Sequence, residues 1–162
     1  MPETCLLPTD ASSSSGIAET RAKIRAFTTL PTGWHYGDGV AASSDTESIA
    51  LSIQTEAVIV GVMQMDAFPG INGEIRVTLY EPDYLEFTVE KDGRITFLEE
   101  RNGEETDYQP NLTLQETLSI IREAGRKLWA SFAYSTTGTT IGISTAFKPS
   151  PSATHQTIPV SP

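Results

Sequence analysis

His35 and Asp38 stand three residues apart in Leu30-Pro31-Thr32-Gly33-Trp34-His35-Tyr36-Gly37-Asp38-Gly39, the stretch richest in chemically capable side chains. An imidazole oriented by a carboxylate makes a general base, and Trp34 could wall a ligand beside it. That arrangement would give a small hydrolase or ligand-binding domain centred on Trp34, His35 and Asp38. The competing role is structural. Pro31 and three glycines punctuate a loop, and Trp34 and Tyr36 are apolar bodies with polar tips, suited to closing the end of a small core. A base needs a further catalytic group within reach, and Asp38 alone is near. The structural role is therefore the one expected of Trp34, His35 and Tyr36.

Other chemistries find less support. Gly142-Ile143-Ser144-Thr145-Ala146 lacks the closing glycine of a nucleophile elbow, and no helix signal follows it. Cys5 lies in a Ser- and Pro-containing lead-in, without the electropositive surroundings that activate a thiol. His35 and His155 are the only imidazoles and no second Cys exists, so zinc is not expected. Asp66, Asn72 and Glu74 are too sparse for a calcium loop. A Gly-rich phosphate loop followed by Lys is missing. Neither an enzyme nor a cofactor is expected.

Carboxylates dominate the remaining chemistry. The chain carries 21 acids against 11 bases, a net charge of −10. Ten of the acids and only three of the bases fall between Glu81 and Asp107. Such a balance disfavours nucleic acid and anionic membranes, whose phosphates it would repel. In a strand, residues two apart share a face. Alternation thus puts Arg76, Thr78, Tyr80, Glu86, Thr88, Glu90 and Leu98 on one side of a sheet, with Thr96. A charged face of this kind can simply keep a domain soluble. With Tyr80 and Leu98 as apolar anchors among the charges, it can also dock a protein with a basic surface. A third possibility has the carboxylates imitating the phosphate spacing of DNA.

The elements that must position these groups follow from periodicity. A chain of 162 residues makes one ordinary domain. Residues 1–15 read as a disordered arm. A helix follows from Ser15, its stripe formed by Ile17, Arg21, Ile24 and Phe27, and Pro31 and Gly33 stop it. Ser44-Asp45-Thr46-Glu47 has capping-box spacing and predicts a second helix through Ile49, Ile53, Ala57 and Val60. Period-two alternation in Ile75–Tyr80, Leu85–Glu90 and Ile95–Leu98 predicts three strands, joined by Glu81-Pro82-Asp83 and Lys91-Asp92-Gly93; a fourth short strand is expected at Glu104–Tyr108. Thr113–Glu116 is another capping box, opening a helix through Leu114, Leu118, Ile121, Gly125, Leu128 and Phe132.

The expected fold is α+β: a two-layer sandwich in the order helix, helix, antiparallel meander of three or four strands, helix. The domain spans 16–134, and a Ser/Thr/Pro-rich tail spans 135–162. Within the tail Ile141, Ile143 and Phe147 alternate as a strand that could add to a sheet edge.

The Gly33-Trp34…Gly37 segment, the capped helix Ser44–Gly61, the strand Gly73–Tyr80 and the Leu85–Ile95 hairpin, of L-E-x-x-x-x-x-D-G-x-I pattern, resemble those of a loose group of small bacterial proteins. The likeness covers about residues 20–130. It implies a bacterial source and an accessory role beside mobile or defence genes, and carries over no catalytic residue. The expectation is a non-enzymatic protein-interaction module of inhibitor, antitoxin or immunity type, binding through the acidic sheet face, the tail or both. The lone cysteine and the lack of a basic, apolar leader suit a cytoplasmic setting, and no segment is long enough to span a membrane.

Overall fold

Runs of alternating apolar and polar residues pair into one antiparallel sheet, and three helices supply the apolar side chains that cover it. The computed structural model of the chain describes residues 11–136. In chain order the elements are α1 (Ala11–Ala26), a 3-10 turn (Phe27–Thr29), α2 (Ser44–Ile59), β1 (Met65–Pro69), β2 (Ile75–Leu79), β3 (Tyr84–Val89), β4 (Ile95–Arg101), β5 (Glu104–Leu112) and α3 (Leu114–Thr136). The five strands form a meander in the order β1-β2-β3-β4-β5.

One face of the sheet is the core. Ile75, Val77 and Leu79 of β2 lie beside Leu85, Phe87 and Val89 of β3 and Ile95 and Phe97 of β4, all buried. Phe87 and Phe97 are cross-strand partners with ring centroids 5.1 Å apart, a stacked pair of the kind that stabilises a sheet beyond its buried area. Ile24 of α1, Ala50, Ile53 and Ala57 of α2, and Ile121, Ala124 and Leu128 of α3 complete the same cluster. Helix α1 runs beside edge strand β1, where the Thr20 hydroxyl donates to the Met65 carbonyl at 3.0 Å and Lys23 reaches Asp66 at 2.8 Å. The helices and the inward strand residues thus make two layers of an α+β fold.

Several boundaries differ from those predicted. The sheet has five strands, because Met65-Asp66-Ala67-Phe68-Pro69 pairs with β2 from Met65↔Leu79 to Pro69↔Ile75. Its five residues carry no strong alternation, and Pro69 and Gly70 read as a turn. The proline is tolerated because β1 is an edge. Strand β5 runs on to Leu112, past Pro110, again on an edge. Helix α1 begins at Ala11, inside the stretch read as an arm, so Ser15 lies within the helix and does not cap it. The N-cap of α2 is Ser43, whose hydroxyl accepts from the Thr46 amide at 3.1 Å, one residue before the predicted Ser44. That register buries Thr46, Ala50, Ile53, Gln54 and Ala57. The third cap is as predicted: Thr113 and Glu116 bond reciprocally, Thr113 N–H to Glu116 Oε2 at 2.8 Å and Glu116 N–H to Thr113 Oγ1 at 3.3 Å. The tail strand of Ile141, Ile143 and Phe147, together with Cys5, Ser144 and His155, lies outside the described residues. Among the described residues, no helix is long and apolar enough to cross a membrane.

Candidate functional site

Among the described residues, no helix lies over the second face of the sheet at β2, β3 and β4. Strand pairing sets its rows: Asp66, Thr78, Glu86, Leu98 and Tyr108 in one, and Phe68, Arg76, Thr88 and Thr96 in the next. Of the seven residues expected on this face, Arg76, Thr78, Glu86, Thr88 and Leu98 stand in these rows; Glu90 lines a cleft with Arg76 and Thr88, and Tyr80, beyond the other end of the ladder, packs against Tyr84. They are not equally available. Thr78 is buried, Leu98 is half-buried, and the aromatic side chains of Phe68, Tyr80 and Tyr108 are exposed. Glu86 is held on both oxygens, by Arg76 at 3.3 Å and by the Tyr84 hydroxyl at 2.8 Å. Burial and that bond to Glu86 push the Tyr84 phenol up to about 12.

The loop from Pro31 to Gly39 folds as a miniature hairpin. His35 and Asp38 exchange both backbone bonds, at 2.8 and 2.9 Å, around Tyr36 and Gly37, whose φ values of 51° and 98° are the pair a type I′ turn requires. Gly39, at φ 100°, lets the Trp34 indole lie on the backbone: a Cβ there would stand 2.7 Å from the ring nitrogen. Tyr36 does not close the core. It projects from the hairpin tip, 98% exposed. Asp38 meets His35 through the backbone, so it is placed to pair a strand rather than to orient an imidazole.

This hairpin forms one wall of a cleft on the open face. Val40 N–H donates to Ile71 O at 2.9 Å and ties the loop to the β1–β2 turn. Trp34 and His35 then overhang Glu74, Arg76, Thr88 and Glu90 across a space of about 340 Å³. A second concavity of about 510 Å³ continues past Glu74 and Glu90 to Arg94, Thr96 and Asn111. The two halves of the sequence reading, the aromatic loop and the acidic strands, thus meet in one groove.

Glu74 and Glu90 share the groove floor. With Ile75 paired to Val89, they stand opposite each other one step beyond the ladder, where facing Cβ atoms lie about 4.5–5.5 Å apart. Their environments push the two carboxyls apart. Burial, then the charges of Glu74 and Asp92, hold the Glu90 carboxyl above the usual range. Burial also acts to raise Glu74, but bonds from the Asn72 side chain and backbone, at 2.9 and 2.8 Å, outweigh it and leave that carboxyl below its usual value. The nearby arginines bond other groups, Arg76 with Glu86 and Arg94 with Asp92 at 2.7 Å and with Asn111 at 3.1 Å, although their charges still act on Glu74 and Glu90 respectively, and Lys91 lines the adjoining concavity. Neither Glu74 nor Glu90 has an ion-pair partner among the described residues.

Glu74, Phe68, Tyr84 and Tyr108 were not assigned to the site from sequence. Glu74 was legible, since it continues the period-two series of Arg76 and Thr78 backward by one step. Phe68 was not, because it belongs to a strand the periodicity does not mark; Tyr108 lies on the expected fourth strand, but only the pairing Leu98↔Tyr108 puts it in the row of Glu86. Among the described residues no cluster of His, Cys, Asp and Glu could hold a metal ion.

Comparison with protein-family models, with curated proteins and with solved structures returns no match, so the groove is read from its own chemistry.

Proposed function

We propose that the protein is a non-enzymatic interaction module whose open sheet face binds another protein bearing a basic surface. The observation that supports this most is the composition of the uncovered face: carboxylates of Asp66, Glu74, Glu86, Glu90 and Glu100 interleaved with the aromatic rings of Phe68, Tyr80, Tyr84 and Tyr108. Aromatic anchors among charges are the pattern of a docking hot spot, and excess negative charge steers a cationic partner onto it. Arg76 and Arg94 break the run of carboxylates on the same face, which favours a protein partner over mimicry of a uniform phosphate chain. An inhibitor-, antitoxin- or immunity-type role in a bacterial cytoplasm would suit such a module.

The deciding experiment is cross-linked co-purification of the full chain from its own host at moderate salt, beside Glu90→Lys and Leu98→Asp variants. The reading expects a stoichiometric partner that both variants lose and whose contact protects β2–β4 from amide exchange. Undiminished capture by both variants overturns it.

The groove favours one second reading, a small ligand-binding or hydrolytic cleft. Two facing carboxyls, one inclined to hold a proton and one to stay ionised, are the asymmetry that acid–base chemistry uses. In that reading Glu90 is the proton donor and Glu74 the ionised acceptor, His35 stands at the rim, and Asp38 has no part. Turnover of an ester or glycoside panel, abolished by Glu90→Gln, would establish it in place of the first.

A further inference from the structure

We propose that the cleft between the Trp34–His35 hairpin and the Glu74/Glu90 floor is a subsite for a guanidinium group, presented by an arginine side chain of the partner. The inference rests on the interaction-module reading and names the chemistry of its anchor. Three observations converge on it. Glu74 and Glu90 both line the cleft floor and neither has an ion-pair partner among the described residues, while Arg76 and Arg94 make their ion pairs with other acids. A cation between them would relieve the like-charge contact that their strand register imposes. The wall above them is the Trp34 indole, backed by its edge-on contact with His35 at 5.4 Å and seated on Gly39.

The combination selects guanidinium over ammonium. A planar fork with five donors can engage two carboxylates and lay its face on an indole, and it loses less hydration in a partly buried cleft. A lysine ammonium can also bridge two carboxylates, as Lys23 does with Glu19 and Asp66, but it is a compact, strongly hydrated charge with no planar face to lay on the indole. The cleft floor adds the hydroxyl of Thr88, a neutral acceptor for a remaining donor. Gly70 makes the arrangement possible: a Cβ there would overlap the Glu74 carboxylate, which folds back over the turn.

The test uses the full chain labelled with ¹⁵N and titrated with Nα-acetyl-argininamide, its lysine counterpart and its citrulline counterpart, the last a neutral isostere. The two indole N–H resonances report separately on Trp34 and Trp129, and Trp34→Phe assigns them. The expected result is a saturable shift of the Trp34 resonance with the arginine compound, at least severalfold weaker with lysine and absent with citrulline. Trp129, bonded to the Val60 carbonyl at 3.0 Å, should not move. Glu90→Gln should weaken the arginine response about tenfold, and Thr88→Lys, which supplies a cation from within, should abolish it. An unchanged Trp129 resonance certifies that each variant is folded. No saturable shift, or an equal response to citrulline, overturns the subsite. If partner capture still depends on Leu98 while Trp34 ignores arginine, the subsite falls and the interaction reading stands. If Trp34 answers arginine but no partner is lost on changing Leu98, the wider reading falls and the subsite stands.

Discussion

Gly125 of α3 lies against Val60 at the end of α2 so closely that a Cβ on the glycine would stand 2.5 Å from the Cβ of Val60. The same crossing is closed by the Trp129 indole, which donates to the Val60 carbonyl and packs over Gly61. Helix α3 can therefore approach α2, and through it the sheet, only while position 125 has no side chain.

Gly125→Ala should destabilise the protein although alanine is the better helix former. The gain in helix propensity is at most about 1 kcal/mol, whereas overpacking a filled contact costs about 1–3 kcal/mol. The expected net loss lowers the melting temperature by a few degrees, and Val60→Gly in the same chain, which removes the Cβ that would be struck, should recover part of it. Thermal unfolding of the two single variants and the double variant measures the coupling.

The cap of α2 offers a test of register. Ser43→Ala removes the acceptor of the Thr46 amide and should cost about 1 kcal/mol. Ser44→Ala, one residue into the helix, should stay within about 0.5 kcal/mol of the parent. Equal effects in denaturant unfolding would contradict the observed cap.

Glu90 makes stability depend on pH in a defined direction. Its folded carboxyl is raised, first by burial and then by Glu74 and Asp92, so the folded state holds the proton more tightly than the unfolded chain. The favourable contribution is complete below the ordinary carboxylate range and is lost as pH rises through the raised value. Glu90→Gln should accordingly be more stable than the parent at neutral pH, with the advantage vanishing in acid. Melting curves across that range decide it; an advantage that persists in acid would point to packing instead.

Tyr84 gives the alkaline counterpart. Its phenol, buried and bonded to Glu86, ionises at about 12 instead of near 10, so its contribution is intact below pH 10 and disappears as pH climbs towards 12. A tyrosinate absorbance titration should contain one late-ionising component, and Tyr84→Phe should remove it. The same variant should free the Glu86 oxygen that Tyr84 occupies, leaving Arg76 as its remaining partner.

Much of the fold was legible because local rules were strong. Ile75-Arg76-Val77, Leu85-Glu86-Phe87 and Ile95-Thr96-Phe97 alternate cleanly, and the Thr113–Glu116 cap is marked by residue types that bond reciprocally. Strand β1 was missed because an edge strand needs hydrogen bonds on one side only and tolerates Pro69; its signal lies in β2, not in itself. The cap falls on Ser43, one residue before the Ser44–Glu47 capping-box spacing, because either serine can accept from a first-turn amide and the burial of Thr46 and Ala50 against the sheet sets the helix register.

By itself the sequence determined the alternation that places Arg76, Thr78, Thr88 and Glu90 on one face, since the pleat has period two whatever surrounds it. It also determined the glycines that allow the His35–Asp38 hairpin to close. Tertiary structure alone decided that this hairpin stands over Glu74 and Glu90, which follow it far along the chain. That proximity depends on one long-range backbone bond, from Val40 to Ile71, and on the packing that delivers β1 to the sheet edge. Periodicity describes neighbours along a chain and is silent about which distant turns will touch, so the groove came into view only with the fold.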